Sequence, residues 1–220
     1  MESTNEHPIL FNAEMIRAIL DGRKTQTRRV IKPQPSGNNV TLKSGVTGYW
    51  IGWDNEGDEA WNASCPYGKS GDRLWVREEW RTENVYNAAS PKVISETAIL
   101  QFRADMGMKW IGDRKPAPDE WGKWRRSIHM PRWASRITLD VKDIRVEQVQ
   151  DIGEENAVAE GIPFDSQYFR AVIHPVKGTL KHWPTANMAF GKLWDSINAE
   201  KGFGWDQNPY VWVIEFEKVR

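Results

Sequence analysis

Ser135-Arg136-Ile137-Thr138-Leu139-Asp140-Val141-Lys142-Asp143-Ile144-Arg145-Val146-Glu147-Gln148-Val149 carries the clearest strand signal in the chain. Ile137, Leu139 and Val141 alternate with polar residues, the pattern of a half-buried strand. The phase slips at Lys142 and Asp143, so that Ile144 and Val146 resume it one place late. A one-residue slip sends side chains to the opposite face, so a bulge or bend is expected there. Just beyond, Asp151 and Glu154 stand in capping-box spacing before a short helix that Gly161 stops.

Working outward, Tyr210 to Val219 reads as the closing strand, with Trp212, Ile214 and Phe216 on one face and Glu215 and Glu217 on the other. A helix beginning near Thr185 shows Phe190, Leu193, Trp194 and Ile197 at helical spacing. Toward the N-terminus, Asn12 is placed to cap a helix striped by Met15, Ile16, Ile19 and Leu20, and Gly22 suits its left-handed stop. The period then changes to two. From Gln26 to Ile31, Thr27, Arg29 and Ile31 share one strand face and Arg28 and Val30 the other, and Pro33 and Pro35 end the element. Residues 36–64 read as short strands or a hairpin among glycines and tryptophans, Cys65 to Gly71 as a turn-rich entry to a strand from Arg73 to Arg81. Residues 82–133 are irregular apart from a strand at Ile99 to Arg103. Strands with long connections and three short helices predict an α+β fold around a small mixed or barrel-like sheet. No linker divides the chain, so one domain spanning 1–220 is expected.

The chain carries 30 basic and 30 acidic side chains, which argues against non-specific coating of nucleic acid. The sum conceals segregation. Residues 14–32 hold six cations against Glu14 and Asp21, and residues 121–136 hold Lys123, Arg125, Arg126, Arg132 and Arg136 with no carboxylate, while residues 140–160 are acidic. The single cysteine, Cys65, excludes an internal disulfide framework and a multi-cysteine zinc module. His7, His129, His174 and His182 have no zinc-type spacing, and no metal or cofactor is expected. No apolar run approaches the roughly 18 residues of a membrane span, and Met1 to His7 is polar. The expectation is a soluble, cytoplasmic protein with no membrane partner; the sequence leaves its oligomeric state open.

Gly22-Arg23-Lys24-Thr25-Gln26-Thr27-Arg28-Arg29 puts a lysine, two hydroxyls and three arginines at a helix-to-strand junction. Rigid elements hold such side chains while letting them face a cleft, which a binding or catalytic constellation needs. A solvated basic turn is the other reading of the same residues.

Gly22, Lys24, Thr27 and Arg29, in the pattern G-x-K-x-x-T-x-R, resemble the signature of the ASCH superfamily. Cys65-Pro66-Tyr67-Gly68, Gly71 to Glu78 and Ile128 to Ile137 are similar to ASCH proteins encoded by tailed phages and prophages, which would place the chain in the cytoplasm of a bacterial host. The resemblance implies a PUA-like small β-barrel with a few short helices, an RNA link, and large insertions at about 34–64, 81–133 and 163–204. The motif run is also similar to that of the small bacterial N4-acetylcytidine amidohydrolases within the superfamily. From that resemblance Lys24 takes the part of proton acceptor, Thr27 of nucleophile and Glu160 of proton donor. The chemistry is consistent: a threonine hydroxyl needs a base, and a lysine serves only when burial or neighbouring cations depress its pKa, for which Arg23, Arg28 and Arg29 are at hand. Glu160 precedes the Gly161 stop, where the negative end of a helix disfavours a carboxylate.

The tryptophans are the second resource, since aromatic faces stack on bases. Trp75, Trp194 and Trp212 lie on apolar faces and belong to the core. Trp50, Trp53, Trp61, Trp110, Trp121, Trp124 and Trp133 are the ones expected at the surface. Trp124, Arg125 and Arg126 interleave aromatic and basic character, and with Arg132 form a second set of ligand-binding candidates, though a loop packed down by its own tryptophans has the same composition. Three functions follow as expectations. The first is an RNA- or modified-nucleoside-binding domain that hydrolyses an acylated base, the second a non-catalytic RNA- or DNA-binding module, and the third a phage factor that binds a host protein.

Overall fold

The computed structural model describes residues 4–36, 39–42, 48–109, 120–162 and 185–219. In chain order they form β1 (Glu6–Leu10), α1 (Ala13–Leu20), β2 (Gln26–Val30), β3 (Asn39–Leu42), β4 (Tyr49–Trp53), β5 (Glu59–Ser64), β6 (Arg73–Arg77), β7 (Trp80–Thr82), β8 (Leu100–Phe102) and β9 (Met108–Lys109). They continue with β10 (Thr138–Gln148), α2 (Glu154–Ala159), α3 (Ala186–Asn198) and β11 (Tyr210–Lys218), with short 3-10 turns between them. The fold is α+β and mostly sheet. Among the described residues no sheet closes into a barrel, and no helix is long and apolar enough to cross a membrane.

The residues group into two compact units, each built from separate stretches of sequence. The first takes the chain up to Asp21, Asp72–Asp140 and the end of β11. In it β1 runs parallel to β6, with Pro8 opposite Trp75, and β6 pairs antiparallel with Thr138–Asp140 of β10. A second small sheet, β7-β8-β9, stands on its own. Trp80, Leu100, Phe102, Met130 and Ala134 form an apolar cluster of this unit. The expected strand Arg73 to Arg81 is two strands, because the chain breaks at Glu78 and Glu79 to feed separate sheets.

The second unit takes Gly22–Gly71 and Val141–Glu217. Here the rest of β10, β11 and β2 lie side by side, β11 and β2 antiparallel with Gln26 opposite Glu215, Thr27 opposite Ile214 and Arg29 opposite Trp212. Lys142 and Asp143 are both exposed between buried Val141 and Ile144, the slip the sequence pattern requires. β11 is buried on both faces: Val211 and Val213 join Phe190 and Trp194 of α3 and Ile152 and Ala157 in one core cluster. The second half of the expected 163–204 insertion is thus part of the core, while residues 163–184 lie outside the described set. The β3-β4-β5 sheet occupies the expected 34–64 insertion.

Asn12 caps α1 by accepting from the Met15 N–H, and Gly22 and Gly161 adopt positive φ after their helices. The Asp151/Glu154 capping box does not form. Asp151 accepts from the Gln148 N–H, and Glu154 instead accepts from the Ala186 and Asn187 N–H groups at the start of α3. A carboxylate among unpaired N–H groups satisfies the donors that a helix start leaves over.

Candidate functional site

The motif begins where α1 has ended and β2 has not yet started, and α2 docks onto it through the backbone. The Thr25 N–H donates to the Ala159 carbonyl at 2.9 Å, the Phe216 N–H donates to the Thr25 carbonyl at 2.9 Å, and Lys24 and Glu160 pair as an isolated antiparallel bridge. The last carbonyls of a helix need donors, and the motif supplies them. That is how a glutamate 136 residues away reaches Lys24.

Lys24 Nζ donates to Glu160 Oε2 at 2.7 Å and to the Glu160 carbonyl at 2.7 Å. The Lys24 side chain has no exposed surface and that of Glu160 only 4%. Burial pushes the Lys24 ammonium below its ordinary range, against the pull of the Glu160 carboxylate; Arg29 and Arg28 push the same way as burial. The positive charge pays for leaving water in lost hydration, and one shared carboxylate returns only part of it.

Arg28 extends this pair into a network. Its guanidinium donates to Glu160 Oε1 at 3.3 Å, to Gln26 Oε1 at 2.6 Å and to Glu147 Oε2 at 2.9 Å, and stands 5.8 Å from the Phe190 ring centre. Gln26 Nε2 donates to Glu215 Oε1 at 3.0 Å. Arg145 donates to both Glu215 and Glu147, which closes a ring of five side chains from β2, β10 and β11. Burial lowers the Arg145 pKa, but the Glu147 and Glu215 carboxylates more than reverse that and hold it above the usual value. Gln26, Arg145, Glu147 and Glu215 were not among the sequence candidates. The signal for two of them is the β2–β11 register, which sets Gln26 directly opposite Glu215.

Of the expected trio, the structure joins Lys24 and Glu160. Thr27 is buried on the opposite face of β2 from Gln26 and Arg28, in line with Arg29, as strand alternation requires. Arg29 is half-buried; burial lowers its pKa, while Tyr67 and Glu160 act against that. Arg23 is exposed and donates to the Gly161 carbonyl at 3.3 Å.

The second candidate set sits in the other unit and is divided in use. Arg125 donates to the Tyr86 and Ala89 carbonyls and leans over Trp80, so it fastens a loop. Arg132 makes a two-pronged ion pair with Glu6 at 2.6 and 2.8 Å. Arg126 is exposed and Trp124 half-buried. The stack the sequence did not predict is centred on Arg81, whose guanidinium lies 5.0 Å from the Trp121 ring centre and 4.5 Å from that of Trp124. Gln101 Oε1 accepts from it twice, at 2.8 and 2.6 Å.

Trp75, Trp194 and Trp212 are buried as expected. Trp50 and Trp61 are buried too, against expectation, because Trp212 receives both: ring centres lie 6.1 Å and 6.4 Å from it. Trp53, Trp121, Trp124 and Trp133 are partly exposed, and Trp110 lies outside the described residues. Cys65 is a buried free thiol. Among the described residues no cluster of three His, Cys, Asp or Glu side chains could hold a metal ion. Compared with protein-family models, curated proteins and solved structures, the chain matches none.

Proposed function

We propose that this chain is a PUA-like, ASCH-type domain that binds a modified nucleoside, free or within RNA, and hydrolyses an acyl group from its base. The Lys24–Glu160 contact carries the reading. Moving one proton along the 2.7 Å hydrogen bond turns an ammonium and a carboxylate into a neutral amine and a carboxylic acid. Those are the base and the acid that amide hydrolysis uses, and burial pushes Lys24 toward its neutral form. In this scheme the neutral Lys24 amine takes a proton from an attacking water as its oxygen bonds to the acyl carbon, Thr27 being turned to the other face of β2 from Arg28. Glu160 gives a proton to the departing base nitrogen as the C–N bond breaks, which releases the acid. Arg28 and the five-membered ring hold Glu160 in place, a positioning part.

The test is acetate release from a panel of N-acylated nucleosides. Wild-type protein turns over at least one, and Lys24→Ala and Glu160→Gln each lose about 10²- to 10⁴-fold, the usual worth of a positioned acid or base. Equal turnover in wild type and Lys24→Ala, or none in either, overturns the catalytic reading.

The stack of Arg81 with Trp121 and Trp124 favours a second reading for the other unit, recognition of single-stranded RNA or DNA without chemistry. Aromatic faces take bases irrespective of sequence, and a cation beside them meets the phosphates. Salt-sensitive binding of a short oligonucleotide that weakens in Trp124→Ala supports it, and binding unaffected by Trp124→Ala removes it.

A further inference from the structure

In the first unit, β1 and β6 turn one shared face outward. Arg73, Trp75 and Arg77 stand at alternate positions of β6 and so lie on it together, and the parallel register sets Glu6, Pro8 and Leu10 of β1 directly beside them. Those three β1 residues are exposed, Leu10 by 42%, whereas Ile9, Leu74 and Val76 on the underside are buried. Trp75 is buried as well, and part of its cover is charged. The Arg77 guanidinium lies 4.4 Å from its ring centre and that of Arg132 lies 6.0 Å from it. Stacking on an indole holds a guanidinium plane in a fixed orientation.

The cations of this face are answered except for one. Arg73 pairs with Asp140 at 3.0 Å, and Arg132 holds both oxygens of Glu6. No oxygen among the described residues accepts from the Arg77 side chain: its Nε is enclosed without a partner, and its terminal amino groups stay open to solvent. Arg81, Arg125 and Arg136, the other half-buried arginines described in this unit, all donate to oxygens. The count of charges leaves a single positive charge, which calls for a monoanion. Arg132 and Glu6 show which anion suits a guanidinium beside this ring, a carboxylate gripped by two prongs. Leu10, directly across from Arg77, and Pro8 next to it add apolar surface. We infer that Arg77 anchors a binding site for a monocarboxylate with an apolar body, the carboxylate on the terminal nitrogens of the guanidinium and the body on Leu10 and Pro8. The inference is independent of the chemistry at Lys24, which lies in the other unit.

The probe is benzoate, beside acetate, which has the charge without the body, benzamide, which has the body without the charge, and inorganic phosphate. Affinities come from ligand-observed NMR, and the place of binding from the arginine Nε–H signals of isotope-labelled protein, where the Arg77 signal is the one missing from Arg77→Lys. Benzoate is expected to shift that signal saturably and to bind about tenfold more tightly than acetate, with benzamide and phosphate weaker than benzoate. Arg77→Gln is expected to weaken benzoate at least about tenfold and Leu10→Ser about threefold. Arg103→Gln, at an exposed arginine paired with Glu79, leaves it unchanged. A benzoate response that bypasses the Arg77 signal, no benzoate binding at all, or equal affinity in wild type and Arg77→Gln overturns the site. Phosphate or benzamide binding as tightly as benzoate overturns the ligand class. If Arg77→Gln does not fold, Arg77→Lys decides, since it keeps the charge and loses the fork: a loss of about fivefold supports the two-pronged anchor, and no loss overturns it.

Discussion

Arg136 in the first unit and Lys24 in the second are both cations folded inward against a buried glutamate, and they are satisfied very differently. Arg136 holds Glu78 through two hydrogen bonds, 2.9 and 3.0 Å, and Asp105 through two more, 2.9 and 2.7 Å, with its guanidinium 4.2 Å from the Phe102 ring centre. One guanidinium thus answers two carboxylates, and it does not lose its proton in a protein. At Lys24 the ratio is inverted: Arg28 is bonded to the same carboxylate as Lys24, and Arg29 also feels it. The first arrangement is a staple, and the second is the pair on which the proposed chemistry rests.

The comparison breaks most visibly at Arg136. Arg136→Ala leaves the Glu78 carboxyl buried without its partner, and burial already pushes its pKa up despite the nearby guanidinium. The expected loss is about 3–5 kcal/mol of folding free energy, read from urea midpoints. Lys24→Met should cost about 1 kcal/mol or less, because Glu160 keeps Arg28 at 3.3 Å and a desolvated ammonium is removed. A loss at Lys24→Met as large as that at Arg136→Ala would make Lys24 a second staple and remove the contrast.

How much of this was legible in the sequence follows from where the deciding partners lie. β10, β11 and the cap of α1 were readable because alternation and capping are local. Lys24 stands in a short motif, whereas Thr27 of the same motif lies on the other face of β2 from Arg28 and is not brought to the Lys24–Glu160 pair. Glu160 entered only by resemblance, because nothing local says that the end of α2 docks on Thr25. The Gln26, Arg145, Glu147 and Glu215 ring was missed because antiparallel register is set by packing at a distance. Trp50 and Trp61 were misjudged as surface residues because the ring that buries them, Trp212, belongs to the last strand. Arg125 and Arg132 looked free for the same reason, their partners being the Tyr86 and Ala89 carbonyls and Glu6.

Acid and base titration sharpens the contrast with a smaller effect of opposite sign in the two units. Lys24 has a folded pKa below the ordinary value of 10.5. Between those two values the unfolded chain binds the additional proton, so stability rises with pH through the window, by at most about 1.4 kcal/mol per pH unit. Glu78 has a folded pKa above the ordinary 4.5. Its contribution is complete below 4.5 and is lost as pH rises through the folded value. Urea unfolding from pH 4 to 10 separates them: Lys24→Met removes the alkaline gain and Glu78→Gln removes the loss above 4.5. A Lys24→Met curve parallel to wild type through the alkaline range would mean that Lys24 keeps its proton in the fold and cannot act as the base.

The smallest effect is a rate. Burial pushes the Cys65 thiol up to about 12, against a backbone hydrogen bond that works the other way. At pH 8 only about one part in 10⁴ of a group with that pKa is thiolate, and the thiolate is the form that attacks a disulfide reagent. Cys65 lies in the unit that holds Lys24, so its labelling with an aromatic disulfide is a clock for opening of that unit. The folded wild type is expected to react at least about 10³-fold more slowly than the urea-unfolded chain. Lys24→Met should leave that rate within about fivefold if it changes chemistry and not structure, since 1 kcal/mol corresponds to that factor. Fast labelling in Lys24→Met would show that the lysine holds its unit shut, and any loss of turnover in that variant would then report loosening of the site and not a missing base.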